Sequence, residues 1–450
     1  MDNLRNISPI DGRYQKTTRP LQDFFSEEAL IRYRILVEVE YFIALSETSI
    51  SQLKALGSED HTKLRSIYEE FSLDDAIAVK KIEQVTNHDI KAVEYYLREK
   101  FEQLGYGRFR EYVHFALTSQ DVNNTAIPLS MKDGLNQVII PLLDQLRQTL
   151  SQLAASWIDI PMLARTHGQP ASPTTTGKEL LVFVERLDKQ LDQLRDIPYP
   201  GKFGGATGNF NAHFVAFPNI DWVGFADQFT ARLGLTRSKI TTQIDHYDDL
   251  AAICDCLKRI CTILIDLDRD CWTYISLDYF GQKVIEGEVG SSAMPHKVNP
   301  IDFENSEGNA GMAIAILEHL SAKLPISRLQ RDLTDSTVLR NIGVPLAHLL
   351  IATRSCIRGL NKITLNKEKI QQDLDQNLTV VAEAIQTILR TLDYPDPYEA
   401  LKALTRGKKT ISRADLDSFI DSLEIAEEQK VRLKKITPSN YIGIIPRHTF

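Results

Sequence analysis

DLAAICDCLKRICTILIDLDRDCWTYISL, residues 249–277, decides the fold. Ile253, Leu257, Ile260, Leu264, Leu267, Cys271 and Ile275 recur every three or four residues, the spacing of one helix face. A helix over this stretch would run about 40 Å at 1.5 Å per residue. Its apolar stripe is wide, which calls for burial by several neighbours. The stretch LNQVIIPLLDQLRQTLSQLAASW at 135–157 steps the same way through Ile139, Leu142, Leu146, Leu150, Leu153 and Trp157. Similar periodicity covers 27–47, 88–104, 177–196, 305–323, 337–361 and 378–392, while sustained strand alternation is scarce. The expected class is all-α, with a central bundle of long helices. Expected boundaries fall at QLGYGRFREY and LNKITLNKEK. They give an N-terminal helical domain over 1–112, a long-helix domain over 113–364 and a C-terminal helical domain over 365–450.

The 450 residues are 43% apolar and 25% charged, the composition of a globular chain with a substantial core. No run approaches the roughly 18 uninterrupted apolar residues of a membrane span, and MDNLRNISPIDGRYQ lacks a signal-peptide core. The cytoplasm is therefore the expected location, with no membrane partner. A net charge of −8 argues against nucleic acid, so an anionic ligand must be held by local cations. Cys254, Cys256, Cys261, Cys271 and Cys356 include no C-x-x-C pair and read as small buried apolar residues.

Several polar stretches break the helical background. GSSAMPHKVNPIDFENSEGN at 290–309 reads as a proline-broken loop between helices, and loops of that length are usually functional or disordered. Thr86 with Asp89, Thr118 with Asp121 and Thr176 with Glu179 have capping-box spacing, and Asp335 or Ser336 is a further candidate cap. Each helix N-terminus offers free backbone N–H groups to a carboxylate or phosphate, although a capping box is mostly just a helix start. Ser336 and Arg340 are four apart and share a helix face. Arg331 joins them only if the chain bends at RDLTDS. GKFGGATGNFNAH at 201–213 follows no predicted strand and lacks the G-x-G-x-x-G order, which excludes a dinucleotide loop.

GSSAMPHKVNP at 290–300 resembles the signature loop of the fumarase/aspartase superfamily, matched over all eleven positions. His296 within it is similar to the adenylosuccinate lyase branch, as are SPIDGRY, VTNHD, ARTHGQPASPTT, GNFNAH and RLQRDLTDSTVLRN. The resemblance covers nearly the whole chain and weakens after about residue 410. It implies a three-domain all-α subunit, a homotetramer with active sites shared between subunits, and β-elimination of fumarate from succinylated purine nucleotides. No metal or organic cofactor is implied.

The resemblance makes Ser291 the catalytic base and His167 the general acid. It gives Lys297 and Asn299 to the succinyl carboxylates, with Thr118, Ser119 and Gln243 near them. Asn87, His88 and Asp89 lie at the phosphate end, and Arg13, Tyr14, Arg331, Ser336 and Arg340 contact nucleotide and phosphate. Such a reaction needs a base, cationic stabilisation of the carbanion next to a carboxylate, and an acid for the leaving nitrogen. A serine hydroxyl is a poor base in water. Closure of the loop and the Lys297 ammonium offer it a route to ionise. Two rival readings are an argininosuccinate lyase-type enzyme and a catalytically retired structural relative. The first leaves Arg331, Ser336 and Arg340 without a phosphate, and the second leaves Ser291, His167 and Lys297 without a reason.

Overall fold

The computed structural model describes residues 2–283, 294, 298–405 and 411–445. It is all-α. The long helices are Glu27–Ser46, Asp89–Gln103, Ser119–Gly134, Ile140–Trp157, Thr176–Asp196, Asp248–Ser276, Ile301–Lys323 and Gly343–Lys362. Strands among the described residues are two or three residues long and form four small pairs. The chain divides into two compact units, one of 1–143, 190–262 and 308–353, the other of 144–189, 263–307 and 354–450. The divisions fall at or inside the long helices, so each unit is assembled from pieces distant in sequence.

In the first unit the Glu27–Ser46 helix packs against Ser119–Gly134. Fourteen of the twenty residues of Glu27–Ser46 are buried, so the helix is covered on every side. Tyr41, Phe42, Phe101, Phe203, Phe229 and Trp222 dominate the core around it. The Ser119–Gly134 helix contains Pro128 and passes into a π-helical turn at Leu135–Ile139, so the expected start at 135 is displaced to Ile140. In the second unit a smaller apolar cluster, centred on Ile385, Leu389, Leu416, Ile420 and Leu433, joins the short C-terminal helices.

Several expectations need correction. The 290–309 stretch is not loop throughout, because helix begins at Ile301, directly after Pro300. The buried face of that first part runs through Phe303, Ser306, Asn309 and Ala310. Two of its members are polar, which hides the periodicity from a hydrophobic pattern. The 337–361 helix is two, Thr334–Leu339 and Gly343–Lys362. A Cβ at Gly343 would lie 2.5 Å from Phe25 Cβ, so the second begins where only glycine fits. The 378–392 helix begins as a 3-10 turn at Leu378–Val381 and is α-helical over Ala382–Thr391.

Only one expected capping box forms as expected. The Thr118 N–H donates to Asp121 Oδ2 at 2.8 Å. Thr86 instead ends the preceding helix, Asn87 turns the chain in the left-handed region at φ 51°, and His88 caps the next helix. Thr176 is buried inside its helix; the Thr175 hydroxyl takes the Lys178 N–H at 3.4 Å and Glu179 turns to the Thr174 hydroxyl. Neither Asp335 nor Ser336 caps its helix, since Asp332 accepts from the Thr334 N–H at 2.8 Å and both expected caps lie within the helix.

Candidate active site

The first unit brings the candidates Asp89, Arg340 and Ser336 beside one buried guanidinium. Arg34, in the Glu27–Ser46 helix, is 4% exposed. Its Nε donates to Asn123 Oδ1 at 2.9 Å and its Nη2 to Asp89 Oδ2 at 2.8 Å. Arg340 Nη2 donates to the same Asp89 oxygen at 3.2 Å. Burial would raise the Asp89 carboxyl, but Arg34, the Ile90 N–H and Arg340 outweigh it and hold the group below its ordinary value. Asp89 is therefore a fixed anion that orients two arginines. Arg340 keeps 45% of its side chain exposed, beside a pocket of about 110 Å³ lined also by Arg34, Gln120 and Ser336.

His88 stands next to this cluster with its ring half exposed. Its Nδ1 accepts from the Lys91 N–H at 3.1 Å. An accepting Nδ1 carries no proton, so the neutral ring has its N–H at Nε2, a donor suited to an anion. The Arg13 guanidinium lies 6.0 Å from the Tyr14 ring centroid in the N-terminal turns. Ser8 and Asp11 of those turns line a cavity of about 410 Å³ together with Glu27 and Arg340.

Another arginine, Arg331, is fixed from the Ser119–Gly134 helix. Arg331 Nη2 donates to Ser336 Oγ at 2.8 Å. The Gln120 carbonyl, with the amide turned to satisfy both groups, accepts from Arg331 Nη2 at 2.6 Å and from Nε at 3.1 Å. The expected bend at RDLTDS is present, and it brings Arg331 to Ser336 without a shared helix face. Next to Ser336, buried Asp335 accepts from the Tyr247 hydroxyl at 2.8 Å. Tyr247 in turn accepts from Asn124 Nδ2 at 2.7 Å, and Asn124 Oδ1 takes the Asp245 N–H at 2.9 Å. This chain ties the half-buried Gln243 segment and Ser336 to the helix whose first turn carries Thr118 and Ser119.

His167 and Asn299 belong to the second unit. Pro161–Met162 pairs with Thr174–Thr175, and Arg165–Thr166 with Gln169–Pro170, forming a nested hairpin. His167 and Gly168 are its two tip residues, with φ 54° and 74°, both in the left-handed region. Both left-handed residues match a two-residue type I′ turn, which places exposed His167 at the end of the hairpin. Asn299 is half buried just before Pro300, and Gln282 Nε2 donates to the Val298 carbonyl at 2.9 Å. Ser291 and Lys297 lie outside the described residues.

Residues 12–315 match the family described as lyase, and residues 327–442 match the adenylosuccinate lyase C-terminal family. The chain is 58% identical to adenylosuccinate lyase of Dictyostelium discoideum, covering 99% of this chain and 98% of that one. The chain belongs to the adenylosuccinate lyase family. Escherichia coli (strain K12) adenylosuccinate lyase is 47% identical over 98% of this chain and 97% of its own length. Among solved structures, a fumarate lyase from Mesorhizobium sp. BNC1 superposes with a TM-score of 0.72 at 20% identity, covering 94% of each chain. A 3-carboxy-cis,cis-muconate lactonizing enzyme from Pseudomonas putida gives 0.73 at 22%, covering 94% of this chain and 93% of that one. These two likenesses show the fold alone. The chain is accordingly a lyase.

Sequence reading within this family missed the residues that hold the others. Arg34 sits in an apolar helix, and no motif marks it. Gln120, Asn124, Tyr247 and Asp335 give no spacing signal, because their partners are 88 to 211 residues away. Asp121 was legible as the partner of Thr118, and Asp89 within VTNHD.

Proposed function

We propose that the chain catalyses β-elimination of fumarate from adenylosuccinate, giving AMP, and from the succinylated aminoimidazole carboxamide ribotide SAICAR, giving AICAR, in purine nucleotide synthesis. The observation that carries this reading is the cluster of Arg340, Arg331, Ser336 and His88 in a chain of net charge −8. A phosphate of about −2 charge needs such a group of local cations and donors. Arg340 and His88 receive the phosphate, with Arg331 and Ser336 beside them and Arg13 and Tyr14 closing from the N-terminal turns. Asn87 and Asp89 set the His88 turn and the Arg340 fork.

At the other end of the substrate, Thr118 offers its hydroxyl and Ser119 its hydroxyl and N–H, at a helix start, to a succinyl carboxylate, and Gln243 stands close in sequence to the segment tied to that helix. Lys297 and Asn299 hold the succinyl carboxylates, stabilising the second negative charge that develops as the proton leaves carbon. Ser291 takes that proton. His167 gives one to the leaving nitrogen. The exposed position of His167 at a hairpin tip favours a site completed by another copy of the chain. The proposed assembly is a homotetramer of three-domain subunits, with each site shared between subunits. No helix among the described residues is long and apolar enough to cross a membrane, and the cytoplasm is the proposed location.

An absorbance assay on the purified protein tests this reading. Turnover of adenylosuccinate with none of argininosuccinate is expected. The reverse preference, or no turnover of either, would overturn it.

A further inference from the structure

One buried ion pair in the first unit does more than the Thr118–Asp121 cap described above. Lys202 and Asp121 are both fully buried, with Nζ and Oδ1 2.7 Å apart. The same Asp121 oxygen accepts from the Gly204 N–H at 2.9 Å and the Gly205 N–H at 3.0 Å. Its other oxygen accepts from the Thr118 N–H. The Lys202 ammonium also donates to the Gly205 carbonyl at 2.5 Å. One carboxylate thus fastens the glycine-rich 202–208 segment to the first turn of the Ser119–Gly134 helix. Just upstream, His114 and Ala116 sit at φ 57° and 58°, in the left-handed region that side chains disfavour. The Tyr41 hydroxyl holds the intervening Phe115 carbonyl at 2.8 Å. Such backbone persists only when its surroundings over-determine it.

We infer that Lys202 and Asp121 are positioning residues that preset the Thr118–Ser119 turn for the succinyl carboxylate, before any ligand arrives. The inference rests on the carboxylate role proposed for that turn. Two ions buried together are weak evidence of stability alone, because desolvation offsets most of their attraction. Here the pair is aimed at one turn, and the glycine backbone packs closely beside it. A Cβ at Gly204 would lie 2.9 Å from the Gly208 carbonyl oxygen, so the segment cannot take a larger side chain without moving.

The test uses the full-length protein and the double variant D121N/K202M, which removes both charges at similar volume and leaves no buried ion unpaired. Fumarate and AMP affinities are measured by calorimetry, with kcat and KM for adenylosuccinate. Fumarate affinity and kcat are expected to fall about tenfold or more, as for loss of a charge-assisted contact, while AMP affinity stays within about twofold. Equal loss for AMP and fumarate would mark a merely structural pair and overturn the inference. So would wild-type fumarate binding in the double variant when Thr118→Ala weakens it. If Thr118→Ala also binds fumarate like wild type, the carboxylate role of the turn fails, and the inference with it. Hydrogen exchange on the wild type decides the question even if the double variant does not fold. The Thr118, Gly204 and Gly205 amides are expected to be protected without ligand and unchanged by fumarate. Protection that appears only with fumarate would refute presetting.

Discussion

Asp268 offers a stability prediction that follows from burial. It lies in the Asp248–Ser276 helix, 1% exposed, and neither carboxyl oxygen has a hydrogen-bond partner among the described residues. Burial pushes its carboxyl from 3.8 up to about 8; Glu307 adds repulsion, and the nearby Ser306 hydroxyl and Cys356 thiol oppose the shift. The folded protein therefore holds this group neutral at pH values where the unfolded chain ionises it. A raised acid gives its full contribution below the unfolded value, and stability is lost as pH climbs from about 4 towards 8. At about 1.36 kcal/mol per pH unit, the ceiling on that loss is about 6 kcal/mol, with about 2 kcal/mol of it between pH 6 and 8. Asp268→Asn keeps the volume and cannot ionise. Urea unfolding of both proteins at one fixed concentration, across pH 5 to 9, should show the variant gaining on the wild type as pH rises. Parallel pH profiles would refute the reasoning, because they would mean that the wild-type carboxyl is ionised or solvated in the fold.

Arg340→Ala should weaken AMP and adenylosuccinate about 10- to 100-fold and leave fumarate unchanged, because a charge-assisted phosphate contact worth about 1.5–3 kcal/mol is lost. Equal weakening of fumarate by calorimetry would place Arg340 at the succinyl end. Ser291→Ala should abolish turnover while adenylosuccinate still binds, since the hydroxyl acts mainly in the transition state. A variant retaining a tenth or more of wild-type kcat would remove Ser291 from the base role. Inactive His167→Ala and Ser291→Ala proteins, dissociated and reassembled together, should recover roughly a quarter of wild-type sites if the two residues of a site come from different chains. Hybrid tetramers confirmed by native mass spectrometry that stay inactive would refute the shared site.

The sequence by itself determined the helical class and the long helix at 248–276, and its motifs marked the candidate segments, because periodicity and motif are local properties of a chain. It also marked Thr118 with Asp121, whose contact spans three residues. It misplaced the start of the Ile301–Lys323 helix, whose buried face carries Ser306 and Asn309, and joined two helices across Gly343. Only the tertiary structure decided what holds the candidate site. Arg34 meets Asp89 across 55 residues, and Arg340 reaches the same oxygen across 251. Lys202 meets Asp121 across 81. No spacing rule links such pairs. A buried charge is tolerable only beside its counter-charge and donors, and which groups become neighbours is fixed by how the helices pack.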